Sequence, residues 1–395
     1  MSCDTSQTSP TRPRAVVIRR GGFRPAGRET AFAASRLAVV VIIFLLCVPA
    51  AGQEQPQLNR MSTAAASDDL ARLTARLRAV QSDPAIVTDA LAHGFALLGA
   101  ARYEDAAAVF GAILDAKPQE QTALYGKSIA FFNLKRLGEA EEWARASVAA
   151  AHSLMPPAAA DAAQSESAKR RASDALTLLA TVLAVKGDNT GALKSVTEAV
   201  RLAPANFDAQ FALARALYGA GDPAGASAAF RAAVALKPDD AKARFFLATS
   251  LEKAGDDAAA LAAYRELRDL NVNLAEAHLG IGSLLLKGGA AQLEEAIGAL
   301  ARAVSLNGEL YEARVSLGRA LIRAGRAAEA VEHLRHAALL APGNPEPHYQ
   351  LQNAFKRLGR HAEARAAAAH VKQLHEARRK PSAPGAPAAV VPERD

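Results

Sequence analysis

Apolar residues recur along most of this chain in short bursts at helical spacing. A glycine breaks each burst, and a proline often follows. Phe207 to Pro238 shows the unit. Leu213 and Leu217 lie on one helix face with Phe211 and Ala214 beside them, the i, i+4 stripe of a buried side. Gly219, Gly221, Asp222 and Pro223 then interrupt. Asp222 suits a helix cap and Pro223 the first turn of a new helix. Ala226, Phe230 and Ala233 follow at spacings of four and three, and Pro238 sits past the last apolar turn. Two helices this short are marginal alone, so they need neighbours.

Those neighbours recur at a fixed period. Ala192, Ala226 and Ala260 are 34 residues apart, as are Ala296, Ala330 and Ala364, and Ala106 and Ala140. Ala260 to Ala296 spans 36, which places two extra residues in the turn after Gly288 and Gly289. Ala140 to Ala192 spans 52, an insertion of 18. A period of this length marks a helical repeat array. The first helix of a unit carries a large residue then a small one: Leu179–Ala180, Leu213–Ala214, Leu247–Ala248, Ile281–Gly282 and Leu317–Gly318. The second carries alanine and, four residues on, Phe110, Val196, Phe230, Tyr264, Leu300 or Leu334. Pro118, Pro204, Pro238 and Pro342 close units.

These residues resemble the tetratricopeptide repeat family, in a bacterial exported form, over about Val87 to His375. The resemblance implies an all-α fold, a right-handed superhelical solenoid of helix-turn-helix repeats. Two repeats are expected over 87–154 and six over 173–376. Residues 155–172, opened by Pro156-Pro157, read as a helical extension of the next first helix, with a linker as the alternative. Residues 68–86, with Leu70, Leu73 and Leu77 at helical spacing, read as a capping helix for the first repeat. Residues 53–67 read as linker and 377–395, rich in Pro and Ala, as a disordered tail. His93 and Lys127 stand where the first two repeats should carry a large apolar residue. Their packing is therefore the least regular expected.

The formal charge of +7 is concentrated at one end. Residues 1–52 hold seven arginines against Asp4 and Glu29, so the remainder carries only +2. Such a body offers no basic stripe, and nucleic acid is not an expected partner. Arg36 precedes LAVVVIIFLLCVPAAG, an apolar run ending in small residues. Residues 1–52 read as a secretory signal or as an uncleaved membrane anchor, with possible membrane association through 37–52. The expected location is periplasmic or extracellular, or the inner membrane if the anchor stays. Cys3 and Cys47 are the two cysteines, so the repeats have neither a disulfide framework nor a thiolate nucleophile.

In the family the first helices line a concave groove. That implies a partner surface of Leu91, Phe95 and Leu98; Tyr125, Ile129 and Phe132; Phe211, Arg215 and Tyr218; Phe245 and Thr249; and Arg319, Arg323, Tyr349, Asn353, Lys356 and Arg357. One end is apolar and aromatic, the other basic, which suits a peptide with apolar anchors and an acidic segment. Leu91, Phe95, Ile129 and Phe132 read equally well as core. Arg319, Arg323, Lys356 and Arg357 read equally well as a solvated face. Asn353 with Lys356 lacks the fuller lysine and asparagine set that C-terminal carboxylate capture needs. His333, His336, His361, His370 and His375 read as exposed helical histidines rather than ligands. No catalytic motif, cofactor, metal or small-molecule substrate is expected. The function expected is a non-enzymatic scaffold for a protein or peptide partner. The alternative is a membrane-anchored accessory subunit of an envelope enzyme complex.

Overall fold

The computed structural model describes residues 84–157 and 161–379. The signal or anchor segment, the linker, most of the capping-helix segment and all but the start of the tail lie outside the described residues. The described chain forms sixteen α-helices in eight hairpins, with no strand among them. The first two hairpins are α1 (Pro84–Gly99) with α2 (Tyr103–Ala116), and α3 (Gln121–Asn133) with α4 (Leu137–Ser153). The next two are α5 (Ala162–Lys186) with α6 (Asn189–Leu202), and α7 (Phe207–Gly219) with α8 (Pro223–Leu236). Then come α9 (Ala241–Ala254) with α10 (Asp257–Leu270), and α11 (Ala275–Lys287) with α12 (Leu293–Leu306). The last are α13 (Tyr311–Arg323) with α14 (Ala327–Leu340), and α15 (Glu346–Arg357) with α16 (His361–Arg379).

The irregular spacings have local causes. The insertion lengthens α5 to 25 residues. Its added turns bury Ala168 and Ala172, so the extension is packed rather than free. Helix α4 lacks the proline that follows α2, α6 and α8, and runs to 17 residues before Pro156-Pro157 end it. The sixth hairpin's turn, longer by two residues, holds a short 3-10 turn of three, Ala290–Gln292.

Turn chemistry repeats with the period. Asp188, Asp222 and Asp256 cap the following second helices, their Oδ1 atoms accepting from the amides of Gly191, Gly225 and Ala259 at 2.8, 2.8 and 3.0 Å. In the end repeats, arginine takes that position and pairs with an acid three residues on, as in Arg136–Glu139 and Arg326–Glu329. Each hairpin turn holds one residue of positive φ. It is glycine in the last six hairpins, but Ala101 (φ 57°) and Lys135 (φ 63°) in the first two.

Packing follows one interlock. Phe110, Phe230, Leu300 and Leu334 are fully enclosed, and Val196 and Tyr264 nearly so. Each large side chain fills space left by a small residue on its own first helix. A Cβ added at Gly94 would meet the Phe110 ring at 2.7 Å, at Gly282 Leu300 at 2.5 Å, and at Gly318 Leu334 at 2.6 Å. The next repeat makes the same concession in places: Gly126 lies against Phe110 and Gly280 against Tyr264, where a Cβ would come to 2.3 and 2.6 Å. From the fourth hairpin to the eighth the buried side chains form one continuous cluster. Around α5 the core divides into smaller clusters and admits buried polar groups. Asn206 is wholly enclosed there. Its Nδ2 donates to Ser173 Oγ at 2.9 Å and Asp174 Oδ1 at 2.7 Å, while its Oδ1 accepts from the Asp208 amide at 3.1 Å.

Two outcomes test this account. Gly126→Ala drives a methyl into the Phe110 ring and is expected to cost about 1–3 kcal/mol, with Phe110→Leu in the same chain restoring part of it. Hydrogen exchange over α1–α4 reads both. Ala101→Gly removes a left-handed strain of about 1–2 kcal/mol and adds about 0.5–1 kcal/mol of unfolded-chain entropy. A small net gain in urea resistance is expected, and a loss for Gly221→Ala.

Candidate functional site

The two helices of a hairpin do different work along the stack. Neighbouring first helices touch directly: α1 with α3, α3 with α5, α5 with α7, α11 with α13, and α13 with α15. Second helices reach one another through long side chains instead, as in Arg265–Glu295 at 2.8 Å and Arg335–Glu363 at 3.5 Å. A stack that is close on one side and spread on the other is curved. The first helices therefore line its inner face.

The sequence-derived candidates all lie on first helices. Tyr125, Ile129 and Phe132 of α3 are half-buried, like Leu91, Phe95 and Leu98 of α1. Phe95 is committed to the core, edge-on to Phe110 at 5.2 Å between ring centres. Phe132 packs beside Val182 and Leu178 of α5. Phe211 joins an aromatic ladder with Phe207, Phe230 and Phe246 at 5.8, 5.4 and 5.8 Å. Phe245 extends it, edge-on to Phe246 at 5.7 Å and to Tyr264 at 6.4 Å. Phe211 and Phe245 thus face two ways, one side in the stack and one toward the inner surface. Thr249 spends its hydroxyl on the Phe246 carbonyl at 3.0 Å.

Electrostatics mark the inner face independently. Arg215 is exposed by area, yet its guanidinium pKa is lowered by desolvation. A side chain open to water but surrounded by protein is what a concave surface produces. The Tyr125 phenol is pushed up to about 12, by burial first and then by the Asp174 and Asp208 carboxylates. Those acids belong to α5 and α7, so three successive first helices meet electrostatically at one place.

At the far end the basic residues divide. Arg323 Nη1 donates to the Leu286 carbonyl at 2.5 Å, and Arg357 Nη1 to the Ile322 carbonyl at 3.0 Å. Each caps the C-terminal end of the preceding repeat's first helix. Lys287, at the corresponding position, reaches Asp257 at 3.0 Å and Glu252 at 3.4 Å. Arg319 and Lys356 are exposed, Asn353 is half-buried and Tyr349 is 51% exposed.

Some features were not legible beforehand. Lys127 at an apolar position is accommodated by Trp143, its Nζ 3.8 Å from the ring centre, and burial lowers its pKa. The histidines need a correction. His333 and His336 are half-buried, and desolvation lowers the pKa of His333. His348 meets His370 with ring centres 4.2 Å apart and planes tilted by 55°, a contact between helices that no periodicity signals. The inserted turns of α5 shape an open cavity of about 420 Å³ beside Leu154, Pro156 and Arg171. Among the described residues no group of three or more His, Cys, Asp or Glu side chains converges as metal ligands. None of the described helices is long and apolar enough to cross a membrane.

A curved stack of two-helix units with no regular sheet is a helical-repeat solenoid, a class of interaction scaffolds. The tetratricopeptide repeat model matches residues 91–153, 211–271 and 279–345. The chain is a tetratricopeptide-repeat protein. Solved structures with this likeness include MamA from Desulfovibrio magneticus RS-1, 20% identical, covering 44% of this chain and 97% of that one at a TM-score of 0.42. PilF from Pseudomonas aeruginosa is 17% identical, covering 53% and 94%, at 0.45. YrrB, described as a TPR protein with an unusual peptide-binding site, is 20% identical, covering 44% and 88%, at 0.40. No curated protein matches the chain.

The Tyr125 environment sets a pH dependence. A phenol that ionises near 10 when unfolded and near 12 when folded leaves stability untouched below pH 10 and erodes it from 10 to 12. Tyr125→Phe is expected to move alkaline unfolding to higher pH, followed by circular dichroism. Asp208→Asn is expected to lower the phenol's own titration, read as phenolate absorbance.

Proposed function

We propose that this chain is a non-enzymatic scaffold whose inner face holds a segment of a protein partner. The observation that carries this is the row of half-buried aromatics on successive first helices, Tyr125, Phe211, Tyr218 and Phe245, beside the desolvated Arg215. Side chains that the stack only partly covers give apolar area at low entropic cost, and a partly desolvated cation adds direction. An extended or helical peptide fits such a channel. Protein binding is the general role of tetratricopeptide-repeat proteins, which supports the reading.

The basic flank and apolar run at 36–52 support export. We place the repeats outside the cytoplasm, either released after cleavage or held at the membrane by that run. The second arrangement is the accessory-subunit reading, and it predicts that the full-length product stays with the membrane fraction.

A photo-crosslinking residue at position 218 tests the groove against one at position 339, where Leu339 projects from a second helix. Crosslinks to one partner from 218 and none from 339 are expected. Arg215→Ala with Tyr218→Phe is expected to lower capture about tenfold while the ring's packing on the core is kept. Phe211→Ala is a poor probe, since removing a packed phenylalanine costs about 3–5 kcal/mol of stability. Equal crosslinking from 218 and 339 would sink the groove reading.

A further inference from the structure

We propose that His348 and His370 bind a divalent ion of the zinc, nickel or copper kind, which joins the two helices of the last hairpin. The rings meet across that hairpin, His348 from α15 and His370 from α16, with centres 4.2 Å apart and planes tilted by 55°. Two imidazole nitrogens on a single ion stand about 3 Å apart, since each bond is about 2.0–2.1 Å long. The ring centres then lie about 5 Å apart, so a small rotation of the two side chains reaches that geometry. His370 is exposed and His348 half-buried, which gives an ion a path in from solvent.

The fold makes no other use of these rings. Among the described residues each meets the other, and neither ring joins a hydrogen bond or an ion pair. His278 and His336 differ: Nε2 of His278 meets the Val272 carbonyl at 2.9 Å, and Nε2 of His336 the Glu309 carboxylate at 3.5 Å. Packing alone is a poor reason for two imidazoles side by side, because both rings repel once protonated. Burial, and then the neighbouring His370, lower the pKa of His348, so its ring is neutral at pH 7 and keeps a lone pair for a ligand. Positions three and four from His370 on α16 hold Ala366, Ala367, Gln373 and Leu374, with no charge among them. No third His, Cys, Asp or Glu converges on the pair among the described residues, so water fills the rest of the shell. Imidazole suits zinc, nickel and copper, whereas magnesium and calcium take oxygen ligands. Helix α16 ends the described stack and packs on α15, and ends of a stack open most easily. An ion held from both helices staples that hairpin closed.

The test uses the full chain with Cys3→Ser and Cys47→Ser throughout, so that no thiol competes for metal. Zinc chloride is titrated in by calorimetry, and hydrogen exchange is followed with and without the ion. The tightest phase is expected to hold a single zinc per chain, with slower exchange in α15 and α16 and no change in α7 to α10. His370→Gln and His348→Gln are each expected to remove that phase and the added protection. His361→Gln with His375→Gln, which takes two other imidazoles from α16, is expected to leave both in place. His370 is exposed, so its substitution is expected to hold the metal-free thermal midpoint, and the lost phase then reports a ligand rather than the fold. Nickel chloride is expected to displace the zinc, and magnesium chloride in excess is not. No zinc binding, an unchanged tight phase in His370→Gln, equal loss in the control pair, or displacement by magnesium overturns the proposal. So does zinc binding without slower exchange in α15 and α16, which would place the ion elsewhere on the chain.

Discussion

One interlock carries this molecule: a large side chain on most second helices seated where a glycine or alanine opens the first helix. Phe110 between Gly94 and Gly126 shows it most fully. The small residues bring helix axes close, and the large one restores packing density. Because the seat can be shared with the next repeat, hairpin formation and stacking are not separate events there. An isolated hairpin would leave the side of Phe110 that faces Gly126 uncovered, so the unit is stable only as part of an array.

The interlock also explains where the array is uneven. Ala144 stands where six other second helices carry a large residue, and around it the core breaks into small clusters. Polar bridges take over at this joint, Gln121 to Ser147 at 3.1 Å and Asn206 to Ser173 and Asp174. Each is satisfied, yet a hydrogen bond returns only about 0.5–1.5 kcal/mol net, less than a seated phenylalanine. The long α5 offsets part of this by burying extra alanines against its neighbours.

Curvature turns the same packing into a surface. Close contact between first helices leaves one row of side chains per repeat facing inward, and the row's character changes along the chain. Near Tyr125 and Phe211 the stack leaves aromatic edges showing. Near Arg319 and Lys356 it leaves charge. Beside those two, Arg323 and Arg357 look equally available in sequence and are not, because their guanidinium groups satisfy carbonyls that a helix end cannot pair for itself.

Much of the architecture was legible in the sequence. The period of 34, the paired large and small residues, the Asp222 cap and the periodic glycines each report a local requirement that one residue meets by itself or with a helical neighbour. Local requirements repeat faithfully, so they can be read by counting. Whether a residue at a known register is core, cap or surface depends on what stands opposite, which in the contacts below comes from residues 16 to 37 positions away. Lys127 rests on Trp143, His348 on His370, and Arg323 on the Leu286 carbonyl. The sequence by itself determined that there would be an array of hairpins; the family resemblance added which helix of each would line its inner face. Only the tertiary structure decided which inward residues remain available, because availability is what neighbouring helices leave unused.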